Sequence, residues 1–213
     1  MSENVNRKII YCVRHGQTVG NLRDAMQGLD DPLTPEGDLQ AEKVAERTLN
    51  LEFDAFISSD ATRAVQTATI ISKRTGRAFE TSALFRERKA PTSLIGITRA
   101  EEAYKPYDIF RRKNLGKNEH FEDEENFFDL RERGLEALKF LEEHSESKIL
   151  IVTHGLFLRM LTTLVILDKK LELEQWRPIY FHSMKGSNTG LTIFECIGNQ
   201  WTLVTWNDHA HLG

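Results

Sequence analysis

No apolar run in this chain approaches the roughly 18 residues that a membrane-spanning helix needs, which excludes that class of protein. The first eight residues are polar and lack the apolar stretch of a secretory signal. Cysteine is scarce: Cys12 and Cys196 each lie inside a strand-like run and read as small buried hydrophobes, not as a disulfide framework. No Cys/His cluster has metal-ligand spacing, so neither a metal site nor a cofactor is expected. Basic residues are not in excess. The net charge of −4 argues against nucleic-acid binding, although a small site can be locally positive and take an anionic substrate. Internal repeats, low-complexity runs and domain linkers are also missing. These absences leave a cytoplasmic, disulfide-free enzyme with no nucleic-acid or membrane partner as the simplest expectation.

What is present is globular: 40% of residues are hydrophobic and 28% charged. A length of 213 residues suits one domain, 1–213, with a sizeable core. Strand-like and helix-like segments alternate. Lys8 to Val13, Asp54 to Ser58 and Lys148 to Val152 read as strands. Thr34 caps a helix with Pro35 at its first position; it runs to about Leu51 with Leu39, Val44, Ala45 and Leu49 as its apolar face. Ser59 or Asp60 caps a second helix, ending near Gly76. A third is expected from Glu122 to His144 with an acidic start, and a strongly apolar one from Gly155 to Leu167. Leu191–Cys196 and Trp201–Trp206 flank Gly198-Asn199 as a hairpin. Residues 90–120 read as an irregular excursion that could cover the active site, with a short helix from Thr98 to Tyr104. The pattern predicts a three-layer α/β/α sandwich: a mainly parallel sheet, helices on both faces and an antiparallel edge. Neither the hairpin nor the apolar helix decides whether a homodimer forms.

Two of the strands end in histidine followed by glycine: Arg14-His15-Gly16 and Thr153-His154-Gly155. In open α/β sheets, ligands collect at the carboxyl ends of the strands. Arg63 falls in the first turn after another strand, where backbone N–H groups also favour an anion. Arginine forks bind phosphate oxygens in pairs, and neutral histidine offers a nucleophilic nitrogen. Neighbouring cations would hold the imidazole unprotonated. The grouping suits transfer of a phosphoryl group to histidine.

The stretch Val13-Arg14-His15-Gly16-Gln17-Thr18-Val19-Gly20-Asn21 resembles the Arg-His-Gly-x-Thr-x-x-Asn signature of the histidine phosphatase superfamily, the phosphoglycerate mutase-like proteins. The likeness continues through 31–41, Ser58-Ser59 to Ala68, Thr153-His154-Gly155 and the tail 207–212, and is poorest between Lys89 and Phe121. It implies that His15 is phosphorylated at Nε2 during turnover. Arg14, Arg63 and His154 complete the phosphate pocket, Asn21 is a further donor, and Gln17 and Thr18 line the mouth. Leu33, Thr34 and Gly37 read as structural. In Leu84-Phe85-Arg86-Glu87-Arg88, Glu87 matches the family's proton donor.

Arg86, Arg88 and Lys89 flank that glutamate, and close cations would lower a carboxylate pKa. In an extended segment, alternation points Arg86 and Arg88 away from it. Many members continue with Gly-x-x-Glu-Gly where this chain has Ala90-Pro91-Thr92-Ser93-Leu94-Ile95-Gly96, a departure that bears on substrate recognition. Arg99, Lys105, Arg111, Arg112, Lys113 and Lys117 could engage an anionic leaving group or form a solvated basic loop. His182, Lys185 and Asn188 face the same choice, and His209 and His211 read as local contacts. The expected function is cofactor-independent hydrolysis of a small phosphomonoester through phospho-His15. The alternatives are a phosphoglycerate mutase-type phosphotransferase and a non-catalytic phospho-ligand sensor or scaffold.

Overall fold

The computed structural model describes residues 7–114, 116–180 and 184–213; His182 lies outside them. Six strands form one sheet: β1 (Arg7–Arg14), β2 (Ala55–Ser58), β3 (Glu80–Thr81), β4 (Lys148–Thr153), β5 (Leu191–Ile197) and β6 (Gln200–Asp208). Their order is β3-β2-β4-β1-β5-β6. The first four are parallel, whereas β5 runs antiparallel to β1 and β6 antiparallel to β5, which makes the antiparallel edge.

The central parallel strands β1, β2 and β4 are largely apolar because both faces are covered, whereas β3, which the sequence reading did not place, is a two-residue exposed edge. Along β4, Ile149 and Ile151 join a cluster with Leu130, Leu138 and Leu141 of α5 (Phe127–Glu143) and Met160, Leu161 and Leu164 of α6 (Gly155–Ile166). Leu150 and Val152 point the other way, into Val44 and Ala45 of α2 (Pro35–Thr48) and Ala64, Ala68 and Ile71 of α3 (Thr62–Thr75). The period of two in a strand thus splits the core into two layers. Cys12 and Cys196 are free thiols buried in the sheet. No helix among the described residues is long and apolar enough to cross a membrane.

Several local expectations change. The buried face of α2 is Gly37, Ala41, Val44, Ala45 and Thr48, while Leu39 and Leu49 are 59% and 48% exposed. The close packing of α2 on α3 favours small side chains there. Thr34 is the cap and Pro35 the first residue, as expected, but the helix stops at Thr48, whose hydroxyl donates back to the Ala45 carbonyl. Ala61, not Ser59 or Asp60, takes the cap position of α3. The other two are engaged elsewhere, Ser59 with His154 and Asp60 with Arg86. The acidic run 122–125 precedes α5, which Asn126 and Asp129 close in a reciprocal capping box.

The excursion is ordered around its own cluster of Met26, Ala90, Leu94, Tyr104 and Tyr107. Thr98 pairs with Ala25 as a β-bridge, so no helix starts there. A single 3₁₀ turn at Glu102–Tyr104 leads into α4 (Lys105–Asn114), with Pro106 in its first turn, where a missing N–H costs nothing. Two short helices, α1 (Val19–Arg23) and α7 (Leu173–Pro178), complete the chain. Glu124, 8% exposed, accepts from Tyr107 and Arg88 and ties the excursion to the main body.

Candidate active site

The register of β1 on β4 pairs Arg14 with Thr153, and the His15 N–H donates to the Thr153 carbonyl at 2.9 Å. His15 and His154 therefore leave the sheet side by side, their ring centroids 5.1 Å apart at 56°. Glycine after each histidine leaves room: a β-carbon on Gly155 would lie 3.2 Å from Arg14 Nε.

The hydrogen-bond network assigns the His15 tautomer. His15 Nδ1 lies 2.7 Å from the Gly16 carbonyl, which can only accept, so the proton sits on Nδ1 and Nε2 keeps a free lone pair. His154 Nε2 lies 2.8 Å from Ser59 Oγ, which also accepts the Ala61 N–H. With the Ser59 proton directed to Nε2, the His154 proton sits on Nδ1, a buried atom with no partner among the described residues. Both imidazoles are held well below the ordinary 6.5, first by burial and then by Arg63 and, for His154, also by His15; Arg14 acts on both. Both are neutral at neutral pH.

Arg14 and Arg63 spend part of their donor capacity on the protein, Arg14 Nη1 on the Gly186 carbonyl and Arg63 Nη1 on that of Gly28 at 2.6 Å. Their Nε atoms are buried and unpartnered among the described residues. Burial brings Arg14 down to about 10, partly offset by Glu87, so it stays cationic at neutral pH.

Glu87 docks on the start of α6. Oε2 accepts the Leu156 N–H at 3.0 Å, and Oε1 accepts those of Phe157 at 3.0 Å and Arg88 at 2.9 Å. The flanking cations turn to other carboxylates. Arg86 pairs with Asp60, Arg88 with Glu124 and Lys89 with Asp123.

A cavity of about 740 Å³ opens over Arg14, His15, Arg63 and Glu87. Asn21 lines it, its Oδ1 accepting from Thr18 N–H and from Asn188 Nδ2; Asn188 also donates to the His15 carbonyl at 3.0 Å. Gln17 and Thr18 do not line it. The Gln17 amide oxygen accepts from Thr34 Oγ1, and Thr18 is fully buried as the cap of α1, so both serve turns beneath the site. Of the basic residues in the excursion, Arg99, Arg111 and Arg112 reach the cavity, whereas Lys105, Lys113 and Lys117 do not. Lys185 is on the rim. His211 contacts Thr189 and Arg47, and His209 contacts the Asn207 carbonyl. No group of three or more His, Cys, Asp or Glu among the described residues could hold a metal.

One site residue escaped the sequence reading. Arg159, on α6, lines the cavity with a buried, unpartnered Nε. It is the only charged residue in the helix Gly155–Ile166, one turn beyond a histidine-glycine strand end, and that position was the available signal.

The profile of the histidine phosphatase superfamily (branch 1) matches residues 10–209. The chain belongs to that superfamily. A phosphoglycerate mutase-like protein of Arabidopsis thaliana is 31% identical over 99% of this chain and 90% of its own. A probable phosphoglycerate mutase of Salmonella arizonae is 29% identical over 95% of this chain and 94% of its own. Among solved structures, the YhfR protein of Bacillus stearothermophilus superposes with a TM-score of 0.80 at 27% identity, covering 97% of this chain and all of that one. The fold is that of the phosphoglycerate mutase-like histidine phosphatases, and the superfamily has phosphatase and mutase members.

Proposed function

We propose that this chain is a phosphatase that hydrolyses a small phosphomonoester through a phosphohistidine on His15. The observation that carries the reading is the set of buried nitrogen atoms without partners among the described residues, Arg14 Nε, Arg63 Nε and His154 Nδ1, grouped around a histidine whose Nε2 is free. Buried donors are normally paired. Donors left open beside a nucleophile suit the oxygens of a phosphoryl group, and Arg159 Nε extends the set along α6.

In the first step, His15 Nε2 attacks phosphorus, the ester P–O bond breaks, and Glu87 passes a proton to the departing alkoxide. Arg14, Arg63 and His154 stabilise charge on the equatorial oxygens, which is most of what phosphoryl transfer asks of a protein. In the second step, the Glu87 carboxylate takes a proton from water as its oxygen bonds to phosphorus. The P–N bond breaks, and inorganic phosphate leaves with His15 neutral again.

The names of the two curated relatives speak for a mutase, which uses the same first step. A mutase must hold the phosphoenzyme and its bisphosphate away from water. Here the cavity is wide and its rim includes the exposed Asp24, Arg99 and Arg112, which favours hydrolysis.

Phosphate release from sugar phosphates, glycolytic acids, nucleotides and phosphopeptides, measured with chelator present, tests the proposal, beside a coupled mutase assay with and without bisphosphoglycerate. His15→Ala is expected to abolish turnover and acid-labile phosphoryl labelling together. Phosphate affinity without release from any substrate would leave the protein a binder. Mutase turnover above hydrolysis would make it a mutase.

A further inference from the structure

Glu87 sits on irregular backbone between a 3₁₀ turn and the excursion, where no sheet ladder holds it. What holds it is Arg133 of α5. Nη1 donates to the Leu84 and Arg86 carbonyls at 3.0 and 2.9 Å, and Nη2 to the Glu87 carbonyl at 3.3 Å. Nε and Nη2 also grip both oxygens of Glu125 at 2.7 and 2.8 Å. A guanidinium has five N–H donors, and these five bonds use all of them. Glu125 in turn accepts the Lys89 N–H, so the chain is clasped on both sides of Glu87.

The same guanidinium lies over the Phe157 ring, 4.4 Å from its centre. The Phe157 N–H is one of those that hold the Glu87 carboxylate. Arg133 therefore touches both anchors of the proton donor, its main chain and the helix start that receives its side chain, without lining the cavity itself.

We infer that Arg133 is a positioning residue for Glu87, setting the carboxyl group's place relative to the departing oxygen. The inference rests on the phosphatase reading with Glu87 as acid. Misplacing a catalytic group by about 1 Å can cost ~10²-fold, and only a leaving group that needs a proton registers that loss.

The test compares kcat/KM for glycerol phosphate, whose alkoxide must be protonated, with that for p-nitrophenyl phosphate, whose phenolate leaves unaided. Because kcat/KM reports the steps through formation of the phosphoenzyme, later hydrolysis does not enter. In Arg133→Met the alkyl-to-aryl ratio is expected to fall by about 10²-fold. Arg133→Lys keeps the charge but cannot reach five acceptors, and is expected to show the same fall. If Arg133→Met does not fold, Arg133→Lys and Glu125→Gln carry the test. Equal loss on both substrates, no loss, or full recovery of the ratio in Arg133→Lys would overturn the inference. Glu87→Gln runs alongside. A fall in its ratio with none at Arg133 defeats the positioning role and leaves the phosphatase reading intact. No fall in Glu87→Gln removes the acid itself, and the inference with it.

Discussion

Gly16 and Gly37 meet backbone to backbone beneath the nucleophile. A β-carbon on Gly37 would lie 2.1 Å from the Gln17 carbonyl oxygen, and one on Gly16 would lie 2.4 Å from that of Gly37. The loop that carries His15 is seated on the first turn of α2 at a distance no other residue type permits.

Gly37→Ala is accordingly expected to cost about 1–3 kcal/mol of stability and to lower activity by displacing the loop after His15. Gly76→Ala is the control, at a helix end with φ of 71° and open space around it. It should cost about 1 kcal/mol from the left-handed backbone alone and leave turnover intact. Chemical denaturation and phosphate release measure both, and an active, fully stable Gly37→Ala would contradict the packing argument.

Acid should weaken the fold through two buried histidines, His15 and His154. Unfolded, His15 and His154 titrate near 6.5; folded, both stay neutral to much lower pH because of burial and the arginines. Below 6.5 the unfolded chain binds more protons, so stability is lost as pH falls through that value and levels off above it. Each histidine contributes a slope of up to about 1.4 kcal/mol per pH unit. His211, held down to about 4 chiefly by burial, acts in the same direction. Denaturant midpoints at about pH 5 and about pH 7 should differ less in His154→Gln than in the parent protein; an unchanged difference would contradict the assignment.

Phosphate or vanadate should raise the melting temperature by supplying acceptors to the open donors of Arg14, Arg63 and His154. At about 100 times its Kd, a ligand bound only by the folded state stabilises it by about 2.7 kcal/mol. Thermal shifts under sulfate-free conditions measure this, and a flat titration would argue against a formed anion cup.

Arg63 is 2% exposed, with an open donor, so its charge is held at the expense of stability. Arg63→Met should lower kcat about 10²- to 10³-fold while raising stability by about 1–2 kcal/mol. The gain is reduced by loss of the bond to the Gly28 carbonyl. An active variant that melts earlier would reverse both expectations.

The alternation of Ile149 to Val152 and the paired strand ends at His15 and His154 were legible in the chain because side-chain direction in a strand is local. The cap of α3 was not. Ser59 has the right chemistry for a cap, but its hydroxyl is drawn to His154 across the sheet. Likewise the acidic residues before α5 look like a helix start, yet Glu124 and Glu125 are turned toward Arg88 and Arg133. A helix cap competes with any distant partner for the same oxygen, and periodicity carries no record of that competition.

The sequence alone determined five of the six strands, the helices α2, α3, α5 and α6, the sandwich they build, and the placing of Arg14, His15, Arg63 and His154 at or just after the strand ends. Each follows from short-range rules: side-chain period, turn chemistry and the direction in which a parallel strand leaves its sheet. Only the tertiary structure decided which donors stay open, where Arg86 and Arg88 go, that Gln17 and Thr18 serve the turns below, and that Arg133 spans two anchors of Glu87. Those depend on how elements far apart in the chain are oriented against each other, and a side chain takes its partner from what packing brings within reach.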